Sequence, residues 1–223
     1  MPALYLFDID GTLVRRAGPH HRLALIEAVR RVTGLETTTE GIPVHGMLDP
    51  DILTQMLLAA GFDDARVAAV MRDIVHAAQD VYQEGIPDLR DKQCPGVEGL
   101  LNELQERGTV LALVTGNLTR IGWKKLERAG LHHFFRYGAF GEMASTRGGL
   151  ARMAIERARD KGLIEASSPI SLVGDAPQDV RAAKENGIRS IAVRTGITPT
   201  GDLEACNPDL ILDDLTCLDR GIL

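Results

Sequence analysis

Phe7-Asp8-Ile9-Asp10-Gly11-Thr12-Leu13 decides how this chain is read. It continues Ala3-Leu4-Tyr5-Leu6-Phe7, an apolar run with the character of a buried strand. Two carboxylates at the end of such a strand are expensive unless they are paired, hydrogen-bonded or bound to a metal. Residues i and i+2 of an extended chain point to the same side, so Asp8 and Asp10 can face one site. Gly11 lets the backbone turn tightly or approach a ligand, and Thr12 adds a hydroxyl. A solvated turn after an edge strand would account for Gly11. It would not account for two acids and a hydroxyl in this order.

Working outward, the next segment is helical. Leu23, Ile26, Val29 and Val32 recur at helical spacing before Gly34. Residues 35–48 are irregular. A second helix has Asp49 as its expected cap, Pro50 in its first turn, and Ile52, Leu53, Met56, Leu57 and Ala60 as its apolar face. A third runs from about Asp64 to Glu84. Beyond Cys94 the pattern changes to alternation. Helices are expected from Pro95 to near Gly108, from Leu118 to Ala129, from Leu150 to Lys161 and from Pro177 to Asn186. Strands are expected at 109–114, 134–140, 170–173, 190–193 and 210–212. The first of these is apolar almost throughout, as a strand buried on both faces is. Such alternation predicts an α/β fold, a doubly wound parallel sheet of Rossmann-like type. Residues 1–14 and 91–223 would form that core, and residues 15–90 a helical cap inserted after the first strand.

The 223-residue chain is long enough for one core domain and a smaller insert. Hydrophobic residues make up 44% and charged residues 25%, values of an ordinary globular protein. A net charge of −6 gives no basic footprint for nucleic acid or an anionic membrane. The three cysteines, Cys94, Cys206 and Cys217, have no metal-ligand spacing and fit reduced thiols in a cytoplasmic protein. Asp8 interrupts the first apolar run, so it does not read as a signal peptide. No apolar stretch approaches the length that spans a bilayer.

In doubly wound sheets ligands bind beyond the carboxyl ends of the strands. After Val114 stand Thr115, Gly116 and Asn117, whose hydroxyl, flexible amide and side-chain amide suit phosphate oxygens beside a helix start. They also suit a plain turn. After Val173 stand Gly174-Asp175-Ala176-Pro177-Gln178-Asp179. Asp175 could simply cap the helix that Pro177 opens, a reading that leaves Asp179 without a purpose.

Asp-x-Asp-Gly-Thr, Thr115 and Gly-Asp-x-x-x-Asp, in this order at strand ends, resemble the first, second and fourth signatures of the haloacid-dehalogenase superfamily, in its phosphatase branch. The helical insert and Gly46-Met47-Leu48-Asp49-Pro50 resemble its phosphoglycolate-phosphatase-like subgroup. The resemblance implies Asp8 as nucleophile, Asp10 as acid and base, and Thr115, Gly116 and Asn117 around the transferring phosphoryl group. It also implies Mg²⁺ held by Asp8, the backbone carbonyl of Asp10 and Asp175, with Asp179 beside them. Carboxylates converging from two strands need a cation, and oxygen ligands favour a hard one. The third signature departs from the family pattern. Residues 141–150 contain no lysine, and Arg147 is the cation in the expected place. Arg keeps its charge and grips phosphate bidentately, but does not replace Lys atom for atom. A solvated loop arginine is the plain alternative.

The implied substrate is a small phosphorylated metabolite. The implied reaction is hydrolysis of a phosphate monoester, since Asp10 supplies the acid that a halide leaving group would not need. A phosphomutase of the β-phosphoglucomutase type would use the same core. A non-catalytic phospho-acceptor or binding module is the reading from another class, and the insert and the Asp8/Asp10 spacing count against it. Arg15, Arg16, His20, His21, Arg22 and Asp49 are the cap candidates for substrate contact, with Arg16, His20 and Arg22 the ones expected at an anionic or hydroxylated tail. Trp123 reads as helix packing, and Asp213, Asp214 and Asp219 as surface charge.

Overall fold

The computed structural model describes residues 2–15 and 18–217. Strand β1 (Leu4–Phe7) is buried along its whole length, and its side chains alternate between two layers. Tyr5 and Phe7 join one apolar layer with Val97, Leu100, Leu101 and Leu104 of α4 (Val97–Glu106). Leu4 and Leu6 join the opposite layer with Leu150, Ala151, Ala154 and Ile155 of α6 (Arg147–Asp160). The doubly wound arrangement follows from that alternation, because both faces of the strand need cover.

Strands β2 (Val110–Val114), β3 (Tyr137–Ala139), β4 (Ile170–Gly174), β5 (Arg189–Val193) and β6 (Leu210–Leu212) complete one sheet in the order β3-β2-β1-β4-β5-β6. Every pairing is parallel. Phe7 is level with Leu113 on one side and Val173 on the other. The residues that follow these three strands therefore emerge at one height. The chain builds outward from β1 through β2 to β3, then returns to the other flank of β1 with β4. That reversal opens a crevice at the carboxyl end of β1.

The insert carries α1 (His20–Thr33), α2 (Asp49–Ala59) and α3 (Asp64–Gly85). They share an apolar cluster of their own, with Leu53, Leu57, Ile74 and Ala78 fully buried. Each buried Leu or Ile contributes about 1.5–3 kcal/mol. Leu118 and Ile121, at the start of α5 (Thr119–Ala129), belong to the same cluster. The chain leaves the sheet and returns to it through paired segments. Val14 bridges Gln93 antiparallel, Arg15 N–H donates to Lys92 O at 2.8 Å, and Cys94 N–H donates to Leu13 O at 2.9 Å. No helix of the described residues is long and apolar enough to cross a membrane.

Three local expectations are corrected. Helix α6 begins at Arg147, not Leu150, because Thr146 caps it by accepting the Gly149 N–H at 3.0 Å. Arg147 is therefore a helical residue and not a loop one. Leu48, not Asp49, stands at the cap position of α2, and the Asp49 carboxylate is buried and turned toward the core. Helix α8 (Thr200–Ala205) was not anticipated. It buries only Leu203, so it has no apolar stripe to read. Helix α7 (Pro177–Glu185) and the remaining strands lie where alternation placed them, within a few residues.

Candidate active site

Asp8 leaves β1 with its N–H bonded to Val173 O at 3.0 Å and its carboxylate buried. Arg147, from the first turn of α6, reaches it: Nη1 lies 2.9 Å from Asp8 Oδ1 and 3.3 Å from Asp179 Oδ1. Burial works against the guanidinium's charge, but Asp179 and Asp8 outweigh it and hold Arg147 protonated. Arg147 Nη1 also approaches Val114 O at 3.3 Å, and Nη2 approaches Gly46 O at 3.4 Å, so the side chain joins sheet, helix and insert.

Asp175 follows β4 and accepts the Thr12 hydroxyl at 3.4 Å through Oδ1. Its Oδ2 accepts no hydrogen bond among the described residues, and neither does Asp179 Oδ1. His45 Nε2, from the insert, lies 3.5 Å from Asp175 Oδ2. Burial raises the Asp175 carboxyl well above the ordinary carboxylate range, and Asp8, Asp179 and Asp10 add to it. Burial raises Asp179 as well, against the pull of Arg147. Asp179 Oδ2 accepts the Ala176 N–H at 3.1 Å, so this acid also ties down the start of α7.

One oxygen from each of Asp8, Asp175 and Asp179 lies within 4.8 Å of the others. Backbone is kept clear around them. A Cβ on Gly11 or Gly196 would collide with the Asp175 carboxylate, and one on Gly174 with that of Asp179. Three buried carboxylates, with Asp175 Oδ2 left without a hydrogen bond, fit a hard divalent cation.

Asp10 takes the opposite side of the crevice. Lys125 Nζ lies 2.7 and 2.6 Å from its two oxygens, and Asn117 Nδ2 donates to Oδ2 at 2.8 Å. Burial pushes the Asp10 carboxyl up, but Lys125 above all, with Asn117, more than offsets it and holds it below the usual range. Asn117 also donates to Thr115 Oγ1 at 2.7 Å and accepts from Lys125 at 2.6 Å. Both N–H donors of its amide are thus spent inside the site.

These groups line a cavity of about 220 Å³. Asp8, Asp10, Thr115, Gly116, Asn117 and Arg147 face it together, with Asp175 beside them. Asp179 is just behind, on Arg147 and the Ala176 amide. Among the cap candidates, His21, Arg22 and Asp49 face the cavity. His20 lines a separate hollow near Leu23 and Tyr82, and Arg15 is exposed. Arg16 and Asp219 lie outside the described residues. Trp123 packs on Phe140 at 5.7 Å between rings, and Asp213 pairs with Arg194 at 2.6 Å.

Residues 5–193 match the pattern of the haloacid dehalogenase-like hydrolases. The chain belongs to that family. A phosphoglycolate phosphatase of Pseudomonas putida is 27% identical over 226 residues, which is 99% of this chain and 80% of the relative. A glyceraldehyde 3-phosphate phosphatase of Methanopyrus kandleri is also 27% identical, over 225 residues, 93% of this chain and 90% of that one. Relatives equally distant thus carry the names of different substrates. A crystal structure of a β-phosphoglucomutase from Clostridium difficile has the same fold, with a TM-score of 0.70 at 17% identity, covering 99% of this chain and 95% of that one.

Two residues of this hydrolase's cavity region were not singled out from the sequence. Lys125 lies on the buried face of α5, four residues after Ile121 and four before Ala129, so a charge on an apolar stripe was the available signal. His45 sits in the irregular segment before α2 and carried no periodic signal at all.

Proposed function

We propose that this hydrolase is a Mg²⁺-dependent phosphatase of a small phosphate monoester. Residues 1–14 and 91–223 form its catalytic core and residues 15–90 its cap. The observation that carries the reading is the pairing of two acids with two different cations at one strand end. Asp8 is held by Arg147, and Asp10 by Lys125, both facing one cavity.

In this reading an Asp8 carboxylate oxygen attacks phosphorus, and the P–O bond to the ester oxygen breaks as the aspartyl-phosphate forms. Asp10, ionised at rest, takes up the proton carried by the ester monoanion and passes it to the departing oxygen. Asp10 then takes a proton from the water that attacks phosphorus, which frees phosphate and restores Asp8. Thr115, Gly116 and Arg147 surround the phosphoryl oxygens, with Arg147 in the role that the family gives to lysine. Asp8, Asp175 and the backbone carbonyl of Asp10 would hold Mg²⁺, with Asp179 in support. When bound, the ion supplies positive charge against the repulsion between Asp8 and an anionic ester. Phosphoryl transfer then depends mainly on positioning and charge. The cavity of about 220 Å³ is below the common range of about 300–1,000 Å³ for ligand pockets, which supports a compact substrate.

Hydrolysis of a panel of small phosphate esters, with Mg²⁺ and with EDTA, tests this beside Asp8→Asn. Magnesium-dependent release of phosphate, lost in the variant, is the expected result. Isomerisation of a sugar phosphate without net release would overturn it in favour of a mutase, and no turnover of any ester by the folded protein would overturn it outright.

A further inference from the structure

Lys125 is among the largest side chains that the fold buries completely. Its Nζ meets the two Asp10 oxygens at 2.7 and 2.6 Å, Asn117 Oδ1 at 2.6 Å and His21 Nδ1 at 3.1 Å. An ammonium has three N–H donors and no acceptor. Four acceptor atoms, two of Asp10 and one each of Asn117 and His21, share these three donors, so no donor is left over. The direction of donation also fixes His21. Its Nδ1 must accept, so the proton is on Nε2, which donates to Asp49 Oδ2 at 2.9 Å. Asp49 Oδ2 in turn accepts the Leu118 N–H at 2.8 Å.

The two partners differ in exposure. The Lys125 side chain is 1% exposed, whereas that of Asp10 is 44% exposed and faces the cavity. The ammonium thus grips the carboxylate from the protein side and leaves its other side to a ligand. A buried ion pair is a poor device for stability alone, since apolar residues of similar volume often serve as well. A carboxylate on a short side chain just past a strand has rotamers to choose from, and an acid or base must sit within hydrogen-bond reach of its proton's partner. Lys125 on both oxygens and Asn117 on one remove that choice.

We propose that Lys125, together with Asn117, holds the Asp10 carboxylate in the orientation from which it reaches the leaving-group oxygen. Lys125 is a positioning residue: it acts through Asp10 and touches no substrate atom. The assignment rests on the phosphatase reading. The proton that reaches the ester oxygen leaves Asp10 and is replaced from water, and Lys125 keeps all three of its own.

The test compares two leaving groups. An alkyl ester, such as phosphoglycolate or glycerol phosphate, needs a proton on its departing oxygen. Dinitrophenyl phosphate releases a stable phenolate and does not. Positioned acid–base groups contribute about 10²- to 10⁴-fold, so Asp10→Asn should lose that much kcat/KM on the alkyl ester and far less on the aryl one. Lys125→Met keeps the chain length and removes the charge. Asp10 also serves the water step, which both esters share, so the comparison is read in kcat/KM, which reports the first step alone. The Lys125→Met loss on the alkyl ester should exceed that on the aryl ester by about tenfold or more. The double variant should be no slower than Asp10→Asn alone, because groups acting as a unit do not add. Equal losses on both esters, or a further loss in the double variant, would overturn the assignment. Should Lys125→Met fail to fold, the double variant, neutral at both positions, carries the comparison with Asp10→Asn by itself. An active wild type with equal losses sinks only the role of Lys125. A wild type inactive on every ester sinks the phosphatase reading and this role together.

Discussion

Replacing Arg147 with methionine isolates what one buried cation does among three acids. The guanidinium is 7% exposed, with Nη1 2.9 Å from Asp8 and 3.3 Å from Asp179. Removing one partner of a buried ion pair strands the other, at a cost of about 3–5 kcal/mol. At roughly 2–4 °C per kcal/mol for a chain of this size, the metal-free protein should melt about 6–20 °C lower. Added Mg²⁺ should recover part of that loss, because the stranded carboxylates are then paired again. Arg147→Lys restores the charge but not a planar fork that reaches Asp8, Val114 O and Gly46 O together, so it should fall between the two. Calorimetry in EDTA and then in Mg²⁺, with ester hydrolysis beside it, reads both quantities. A solvated arginine would shift stability by no more than about 0.5 kcal/mol. A melting temperature within 2 °C of wild type, by the same conversion, with turnover intact would refute the buried role assigned to Arg147.

Two more outcomes follow from the acid cluster. Burial and neighbouring carboxylates raise Asp175 and Asp179 in the folded state, so the native protein holds protons that the unfolded chain has released. The metal-free protein should therefore be most stable below about pH 4, as far as these groups decide it, and lose that contribution as pH rises through neutrality. In the proposed reading Mg²⁺ would bind the ionised acids, so its stabilisation should grow with pH. At a hundred times its Kd it would add about 2.7 kcal/mol, or about 5–11 °C, measured by urea and thermal unfolding across pH with and without EDTA. A Mg²⁺ shift that shrinks as pH rises would contradict the sign. Gly11→Ala should cost roughly 1–3 kcal/mol and abolish the Mg²⁺ shift, because φ is +85° and the new Cβ would collide with the Asp175 carboxylate. An alanine variant with the full metal shift would show that the carboxylate has room to move.

Much of the fold was legible because strand and helix carry different periods. Leu4, Tyr5, Leu6 and Phe7 announce a strand covered on both faces, and the helices of the insert show apolar stripes over about two to four turns. The acids of the site were legible for a related reason, since charge at the end of an apolar strand asks for an explanation. What stayed hidden was pairing over distance. Asp10 and Lys125 are separated by 115 positions, and His21 and Asp49 by 28, on different helices. No local spacing joins them. Lys125 was also masked by its helix, whose other lysine, Lys124, is an ordinary surface partner of Glu127. Asn117 illustrates the converse. Its residue type suggested a phosphate ligand, but only the fold could show that Asp10, Thr115 and Lys125 had already claimed its amide.

The insert enters and leaves through one doorway, where Val14 meets Gln93. Rotation at those two adjacent crossings would swing the three helices as one body. Yet Leu118 and Ile121 are rooted in α5, on the core side of that doorway, and are fully buried in the insert's own cluster. To admit a substrate by swinging open, the protein must first wet these two side chains, which costs about 3–6 kcal/mol if both are fully exposed. In that movement they would serve as an apolar latch that touches no reacting atom. Trimming either one would shift the resting balance between shut and open, and with it the rate of entry and release, while every acid and every cation of the site stayed in place.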